Sequence, residues 1–571
     1  MSGAGARRAI VPAPAAGRGT VARALVTAGA AVSAGSTFLP WTWTASFPGD
    51  LTVAGYPGGN QVITLVVALV MLAYCGAAYG LPGLRALAPR GATPALRALA
   101  LALAVSTGYV LAAIAITLGG LVNWVPGSWV AAVAVLLTLL AALALPDDRR
   151  DAPPPAPGPR WRETLVVFAV LLGGLVLADY GLATEHTEQF IGYVLALGFA
   201  VRGLGVSGLP AVISALIARN RVATSVAALC AGLAFAVIQT SGAYTSLAAN
   251  VLIFGAVALG LNIVVGLSGL LDLGYVAFLG VGAYAGALVS GSTFSRFTGT
   301  PLPFWAAVLI GIAVAVLAGV VIGAPTLRVR GDYLAIVTLG FGEIFRIVVN
   351  NLDGVSGPQL TNGPNGIPNI PDLVIFGYDF GEEHTVLGVT FGRFTNYYLL
   401  LVLVIAVMVF VFARVGDSRI GRAWVAIRED EVAAQAMGVN TFRLKLLAFA
   451  LGAAMAGLAG TVQAHVTTTV TPDQYQFLST APPNSAFLLA AVVLGGMGTI
   501  TGPLLGGALL FVIPEKLEFF EDKQLLLFGL TLILMMRLRP EGIVPNRRRQ
   551  LEFHEEEIAG REGRAVAGVG A

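Results

Sequence analysis

Long apolar runs alternate with short polar, basic or glycine- and proline-rich segments along almost the whole chain. In the first part the runs cover residues 21–39, 62–81, 96–122, 128–145, 164–182, 190–217 and 222–240. About 20 apolar residues cross the hydrocarbon core of a bilayer, so each run predicts a membrane helix. Arg202 and Gly203 interrupt the sixth run, which predicts a broken or tilted helix there. Further runs follow at 260–288, 333–349, 397–412, 444–462, 485–513 and 524–536, and the first of these is broken repeatedly by glycine. Residues 485–513 divide into two apolar halves, each shorter than a full span, around Gly495, Gly496, Gly498, Gly502 and Pro503. That pattern predicts a re-entrant pair or two tilted half-helices, because non-helical backbone at membrane depth must be buried in protein or line a cavity. The whole pattern is that of an all-α, polytopic integral membrane protein.

One polar interruption stands apart. Residues 421–440 carry Arg422, Arg428, Glu429, Asp430 and Glu431 between two apolar runs, so they must lie in water at one face. Arg414, Arg419, Arg422 and Arg428 crowd the membrane ends there, and short arginine-rich loops stay cytoplasmic. Asp430 suits the N-cap of a helix of about two turns, Glu431 its first turn, and Gly438 a left-handed residue that ends it. The small surface of Val432, Ala433, Ala436 and Met437 is too little to fold alone, so a cytoplasmic partner that receives it is one reading and an ordinary solvated loop is the other. By the same charge rule, Arg328 and Arg330 place the start of the 333–349 helix inside, and residues 350–396, rich in Gly, Pro, Asn and Asp, outside as a candidate docking surface. Parity along the chain then puts both termini in the cytoplasm.

Composition excludes several functions. Of 571 residues, 56% are hydrophobic, 11% are charged and 71 are glycine, which rules out a soluble globular fold. A net charge of +3 is too slight to imply nucleic acid. None of the lysines, Lys445, Lys516 and Lys523, precedes Ser or Thr, so no phosphate-cradling loop is present and the chain binds no ATP of its own by that route. His186, His384, His465 and His554 show no metal-ligand spacing, Cys75 and Cys230 lie far apart in apolar runs, and no nucleophile elbow occurs. No metal, no cofactor and no enzymatic activity are expected.

Charged residues at membrane depth cost about 2.5–3.5 kcal/mol each and tend to face a bundle interior. Asp272, Glu343 and Arg346 qualify. Glu343 and Arg346 are three apart on one helix, so they form either a structural ion pair or a polar lining of a pathway. Asp272, with Tyr275 one turn on, has no local partner. The break at Gly495, Gly496 and Gly498 is likewise either a pathway element or a close-packed turn. Gly452, Ala456 and Gly460, four apart, predict tight helix packing.

Five stretches in order carry a family resemblance: residues 260–288, GLNIVVGLSGLLDLGYVAFLGVGAYAGAL; residues 327–351 with NGPNGI at 362–367; the 421–440 interruption; VVLGGMGTITGPLLGGALL at 492–510; and RPEGIV at 539–544. Together they resemble branched-chain amino-acid ABC transporter permeases of the LivM type. The resemblance covers roughly residues 244–546. The charged, proline-rich composition of residues 147–162 marks a cytoplasmic linker, which divides the chain into an added unit of about four helices at 1–146, a permease domain at 163–546 and a cytoplasmic tail at 547–571. The resemblance implies that Ala434 and Gly438 match the small-residue spacing of a coupling loop, so that Arg422, Arg428, Asp430, Glu431, Ala433, Ala434, Met437 and Gly438 meet an ATPase. It also implies two ATP-binding subunits, a second homologous permease, an extracytoplasmic solute-binding protein and alternating access in the cell membrane, with ATP used by the partners. Related chains often carry Glu where Asn484 stands, so that acid's role does not transfer. Two other functions remain open, a permease for another small solute such as urea, an amide or a sugar, and an ion-coupled secondary transporter.

Overall fold

The computed structural model describes residues 16–43, 53, 59–149, 158–184, 186–239, 241–297, 302–327, 333–386, 388–478, 484–517, 523–539 and 541–544. Arg328, Arg330, most of the proline-rich linker, the N-terminal tail and the segment 547–571 fall outside the described residues. Among those described, ten helices are long and apolar enough to cross a membrane, or up to eleven if one bent pair is a single span.

The chain forms two compact units, Met1–Ala231 and Gly232–Ala571. The first contains α1 (Ala16–Ser36), α2 (Asn60–Tyr79), α3 (Thr93–Thr117), α4 (Pro126–Leu143), α5 (Arg160–Ala183), α6 (Thr187–Ser207) and α7 (Leu209–Arg219), and α8 (Arg221–Ile238) carries the boundary. Its core is built from small and branched residues, with Val26, Met71, Leu96, Leu99 and Leu103 buried. Polar side chains in this apolar setting find each other, since an unmatched one is costly. The Thr64 and Thr107 hydroxyls lie 3.1 Å apart, and the Tyr74 hydroxyl donates to Ser207 Oγ at 3.1 Å. The sixth apolar run is broken at Gly208, φ 83°, and not at Arg202 and Gly203, which lie within α6. Glycine at a left-handed position ends a helix, and Pro210 then opens α7, where a missing N–H costs nothing. A single charge does neither.

The second unit holds α9 (Gly242–Asn262), α10 (Val276–Val289), α11 (Phe304–Thr326), α12 (Tyr333–Asn351), α13 (Arg393–Asp417), α14 (Arg419–Glu429), α15 (Glu431–Ala436), α16 (Thr441–Thr467), α17 (Ser485–Gly495), α18 (Thr501–Lys516) and α19 (Gln524–Leu538). Helix α16 packs chiefly against α11, α10 and α9. Glycines set its spacing: a Cβ on Gly460 would stand 2.1 Å from the Leu279 carbonyl oxygen, and one on Gly282 would stand 2.4 Å from that of Gly457. Close backbone approach of this kind is how membrane helices associate where burial of apolar surface drives nothing. Thr461, between these contacts, donates to the carbonyls of Gly457 and Gly282 at 2.9 and 3.1 Å.

At one end of this unit lie two short antiparallel hairpins, β1 (Val374–Ile375) with β2 (Tyr378–Asp379) and β3 (His384–Val386) with β4 (Val389–Phe391). Arg393 fastens this end, its Nε 2.8 Å from Asp372 Oδ1 and its Nη2 donating to the His465 carbonyl at 3.0 Å. Nearby, the backbone N–H groups of Ser356 and Val355 hold the Asp353 carboxyl below the usual carboxylate range. Helices α14 and α15 lie at the opposite end, where α13 finishes and α16 begins.

Candidate functional site

The α14–α15 elbow follows directly from its capping residues. Ser418 accepts from Ile420 N and Gly421 N at 3.1 and 3.2 Å and starts α14. Asp430 then accepts from Val432 N and Ala433 N at 2.8 and 2.9 Å, which stops one helix and starts the next. Gly438 takes φ 85° just after α15. The elbow presents Val432, 75% exposed, and Met437, 85% exposed, while Ala434 is buried against its own scaffold.

Three anchors fix the elbow to the bundle. Trp424 is fully buried and its Nε1–H donates to the Leu444 carbonyl at 2.8 Å, in the first turn of α16. Lys445 Nζ pairs with Glu431 Oε2 at 2.6 Å. Arg428 points inward, its Nη1 donating to the Gly266 carbonyl at 2.8 Å while its Nη2 reaches Glu429. The polar group read along the sequence therefore separates: Arg422, Ala433 and Met437 are exposed, while Arg428 is half-buried and Ala434 buried.

Gly266 belongs to a single turn of π-helix, Ile263–Leu267, that closes α9. Such turns leave backbone carbonyls off the regular ladder and recur at functional sites. One turn earlier, Asn262 is fully buried. Its Nδ2 donates to the Thr499 carbonyl at 2.7 Å and its Oδ1 accepts from Gly498 N at 2.8 Å, so one amide clamps α9 to the loop between α17 and α18. Glycine is required in that loop. Gly496 and Gly498 have φ 123° and 74°, and a Cβ on Gly495 would lie 1.9 Å from the Gly502 carbonyl oxygen. The segment after α19 straps the same loop, with Ile543 N and Val544 N donating to the carbonyls of Leu494 and Gly495 at 2.8 and 2.9 Å.

Between the π-turn and α10 the chain is non-helical, so Asp272 and Tyr275 do not share a helical turn as the spacing had predicted. The Tyr275 hydroxyl donates to the Gly452 carbonyl at 2.7 Å, some 16 Å along α16 from its first residue at 1.5 Å per residue. This break therefore lies within the bundle. Asp272 is 1% exposed; its Oδ1 accepts from Gly274 N at 2.9 Å and its Oδ2 has no partner among the described residues. Half-length α10 and α17 begin beside each other here, with Val276 N donating to Ser485 Oγ at 3.1 Å. Asn484 caps α17 by accepting from Phe487 N at 2.9 Å.

Glu343 and Arg346 do pair, Arg346 Nε standing 3.0 Å from Glu343 Oε1. They are not in the interior of this chain: their side chains are 47% and 27% exposed. The structure thus joins Arg428, Gly266, Asn262 and the 495–498 glycines into one connected path and leaves Glu343 with Arg346 on a separate face. Asn262, Trp424 and Lys445 escaped sequence reading, although a lone Asn inside an apolar run is a legible signal.

Residues 243–536 match a family described as the permease component of the branched-chain amino acid transport system. The high-affinity branched-chain amino acid transport system permease protein LivM of Escherichia coli (strain K12) is 41% identical over 316 residues, 53% of this chain and 70% of the relative. LivM of Salmonella typhimurium is 39% identical over 330 residues, 55% of this chain and 73% of the relative. The LivH permease protein of the E. coli system is 35% identical over 130 residues, 22% of this chain and 40% of the relative. No solved structure matches the chain significantly.

Proposed function

The chain belongs to the family of branched-chain amino acid transport system permease components, and from that premise we propose that it is a transmembrane subunit of an ATP-driven importer for branched-chain amino acids. It performs no bond chemistry. A second permease completes the pathway, two ATP-binding subunits act from the cytoplasm, and a solute-binding protein delivers substrate at the hairpin end.

The observation that carries this reading is the elbow. It exposes Val432 and Met437 on a helix too short to stand alone, yet Trp424, Lys445 and Arg428 brace it rigidly to α16 and α9. A push on α15 is then passed through Arg428 to the Gly266 turn, and through Asn262 to the glycine loop between α17 and α18. Rigid contacts at the elbow and non-helical backbone deep in the bundle are what a change between two packings requires.

The test is copurification from a mild detergent followed by uptake. Two P-loop ATPases and a second permease are expected with the tagged chain, and proteoliposomes of that complex with ATP and the binding protein should accumulate labelled leucine, isoleucine or valine. Urea or ribose uptake without leucine uptake would replace the substrate. A clean homo-oligomer with uptake driven by an ion gradient would replace the mechanism.

A further inference from the structure

A charged cluster sits where a membrane protein should not have one. Among the residues of α12 that the rest of the chain leaves uncovered are Ile336, Gly340, Glu343, Ile344 and Ile347, at helical spacing along one face. Glu343 lies ten residues from the first residue of this span and eight from its last, Asn351. Ionised groups at that depth do not face lipid. The face therefore borders protein or water, and the two-permease reading proposed above supplies both, a partner subunit and a pathway between the subunits.

The chemistry of the cluster is specific. Arg346 turns Nε and Nη2 to Glu343 Oε1, and its Nη1 stands 3.7 Å from Asp473 Oδ1. Asp473, on the short helix Pro472–Tyr475, also accepts from Gln476 Nε2 at 2.9 Å. One cation and two carboxylates leave the cluster with one negative charge in excess. A carboxylate entering at Arg346 displaces one acid, which is then free for an ammonium group on the same ligand. One turn on from Glu343, Ile347 offers an apolar surface on the same face, and a Cβ on Gly340 would meet nothing within 4 Å, so the approach is open.

The cluster is also held rigidly from behind. Phe345 packs edge-on against Tyr284 and Tyr475 with centroids 6.2 and 6.3 Å apart, and Gly280 lets both Phe345 and Tyr475 come close. The hydroxyls of Tyr284 and Tyr475, residues 4% and 1% exposed, have no hydrogen-bond partner among the described residues. A preorganised guanidinium fork suits a carboxylate better than an ammonium point charge does.

We propose that Glu343, Arg346 and Asp473 receive the zwitterionic head of the transported amino acid, Arg346 taking its α-carboxylate and the displaced acid its α-ammonium, while Ile347 meets the aliphatic side chain. The inference rests on the importer reading. A salt bridge that merely holds two subunits together is the rival.

The reconstituted complex, assayed with ATP and the binding protein, separates them. In Arg346→Lys, charge is kept and the fork is lost; leucine uptake is expected to fall about tenfold or more while the partners still copurify and ATP hydrolysis continues. In the exchanged pair Glu343→Arg with Arg346→Glu, the bridge is restored but its polarity is reversed; assembly is expected to recover and uptake is not. Wild-type uptake by the lysine variant, or by the exchanged pair, would overturn the proposal. A wild-type complex that moves none of leucine, isoleucine and valine would instead overturn the parent reading.

Discussion

Asn262 is fully buried and ties α9 to the loop between α17 and α18 through both atoms of its amide. Its amide satisfies a donor and an acceptor of the partly buried 495–499 loop. Asn262→Leu keeps the volume and removes both bonds. Each is worth about 0.5–1.5 kcal/mol, and the detergent-solubilised variant should unfold several degrees below the parent in a thermal scan followed by size exclusion. An unchanged midpoint would mean that the loop is held without the clamp. Two glycines make a sharper pair. A Cβ on Gly274 would stand 1.9 Å from the Thr338 carbonyl oxygen, which is backbone and cannot swing away, whereas a Cβ on Gly340 meets nothing within the chain. Gly274→Ala should therefore abolish stable expression and Gly340→Ala should express and fold as the parent does. If Gly340→Ala folds but no longer takes up leucine, something from outside this chain approaches α12 there.

At the scale of elements, the elbow makes a prediction that geometry alone can grade. The Glu431–Lys445 pair fixes α15 on the first turn of α16, and half-exposed pairs contribute only about 0.2–1 kcal/mol to stability. Glu431→Lys should then leave insertion and folding almost untouched. Its effect should appear in coupling, with ATP-driven leucine uptake falling roughly fivefold, about 1 kcal/mol; adding Lys445→Glu should recover most of it. Failure of the exchange to recover uptake would assign Glu431 to the ATPase surface and not to the brace. The elbow was also the most legible element in the sequence, because capping is a local rule: Asp430, Glu431 and Gly438 each act within one turn. The helix break at Gly208 was misplaced to Arg202 for the complementary reason, since in membrane a left-handed glycine followed by proline outweighs a charge that a long side chain can carry to the interface. The glycine pattern showed that residues 260–288 were interrupted. It could not show where, because the π-turn at Ile263–Leu267 and the non-helical 268–275 segment are set by contacts with Arg428, Gly452 and Thr338 that lie 65 to 177 residues away.

For the whole molecule, charge patterning and geometry make one shared statement about orientation. Arginines crowd the α14–α15 end, with Arg414, Arg419, Arg422 and Arg428 among the described residues, and the opposite end carries the hairpins with Asp353, Asp372 and Asp379. Short basic loops stay in the cytoplasm, so the elbow is expected inside and the hairpins outside. The exposed positions needed to test this are already in place: Met437 is 85% exposed at one end and Val355 92% exposed at the other. Cys75 and Cys230 are in no disulfide and can be replaced by Ala. On that background, Val355→Cys should react in intact cells with a membrane-impermeant maleimide, provided the outer envelope is opened. Met437→Cys should react only after the inner membrane is permeabilised. The same labelling with the complex assembled carries the argument one step further, because a bound ATPase would cover position 437 and leave position 355 unchanged. Protection at 437 that appears only with the ATP-binding subunits present would locate their docking surface on α15. Reaction of Met437→Cys from outside would invert the molecule, and no cytoplasmic ATPase could then act through the elbow.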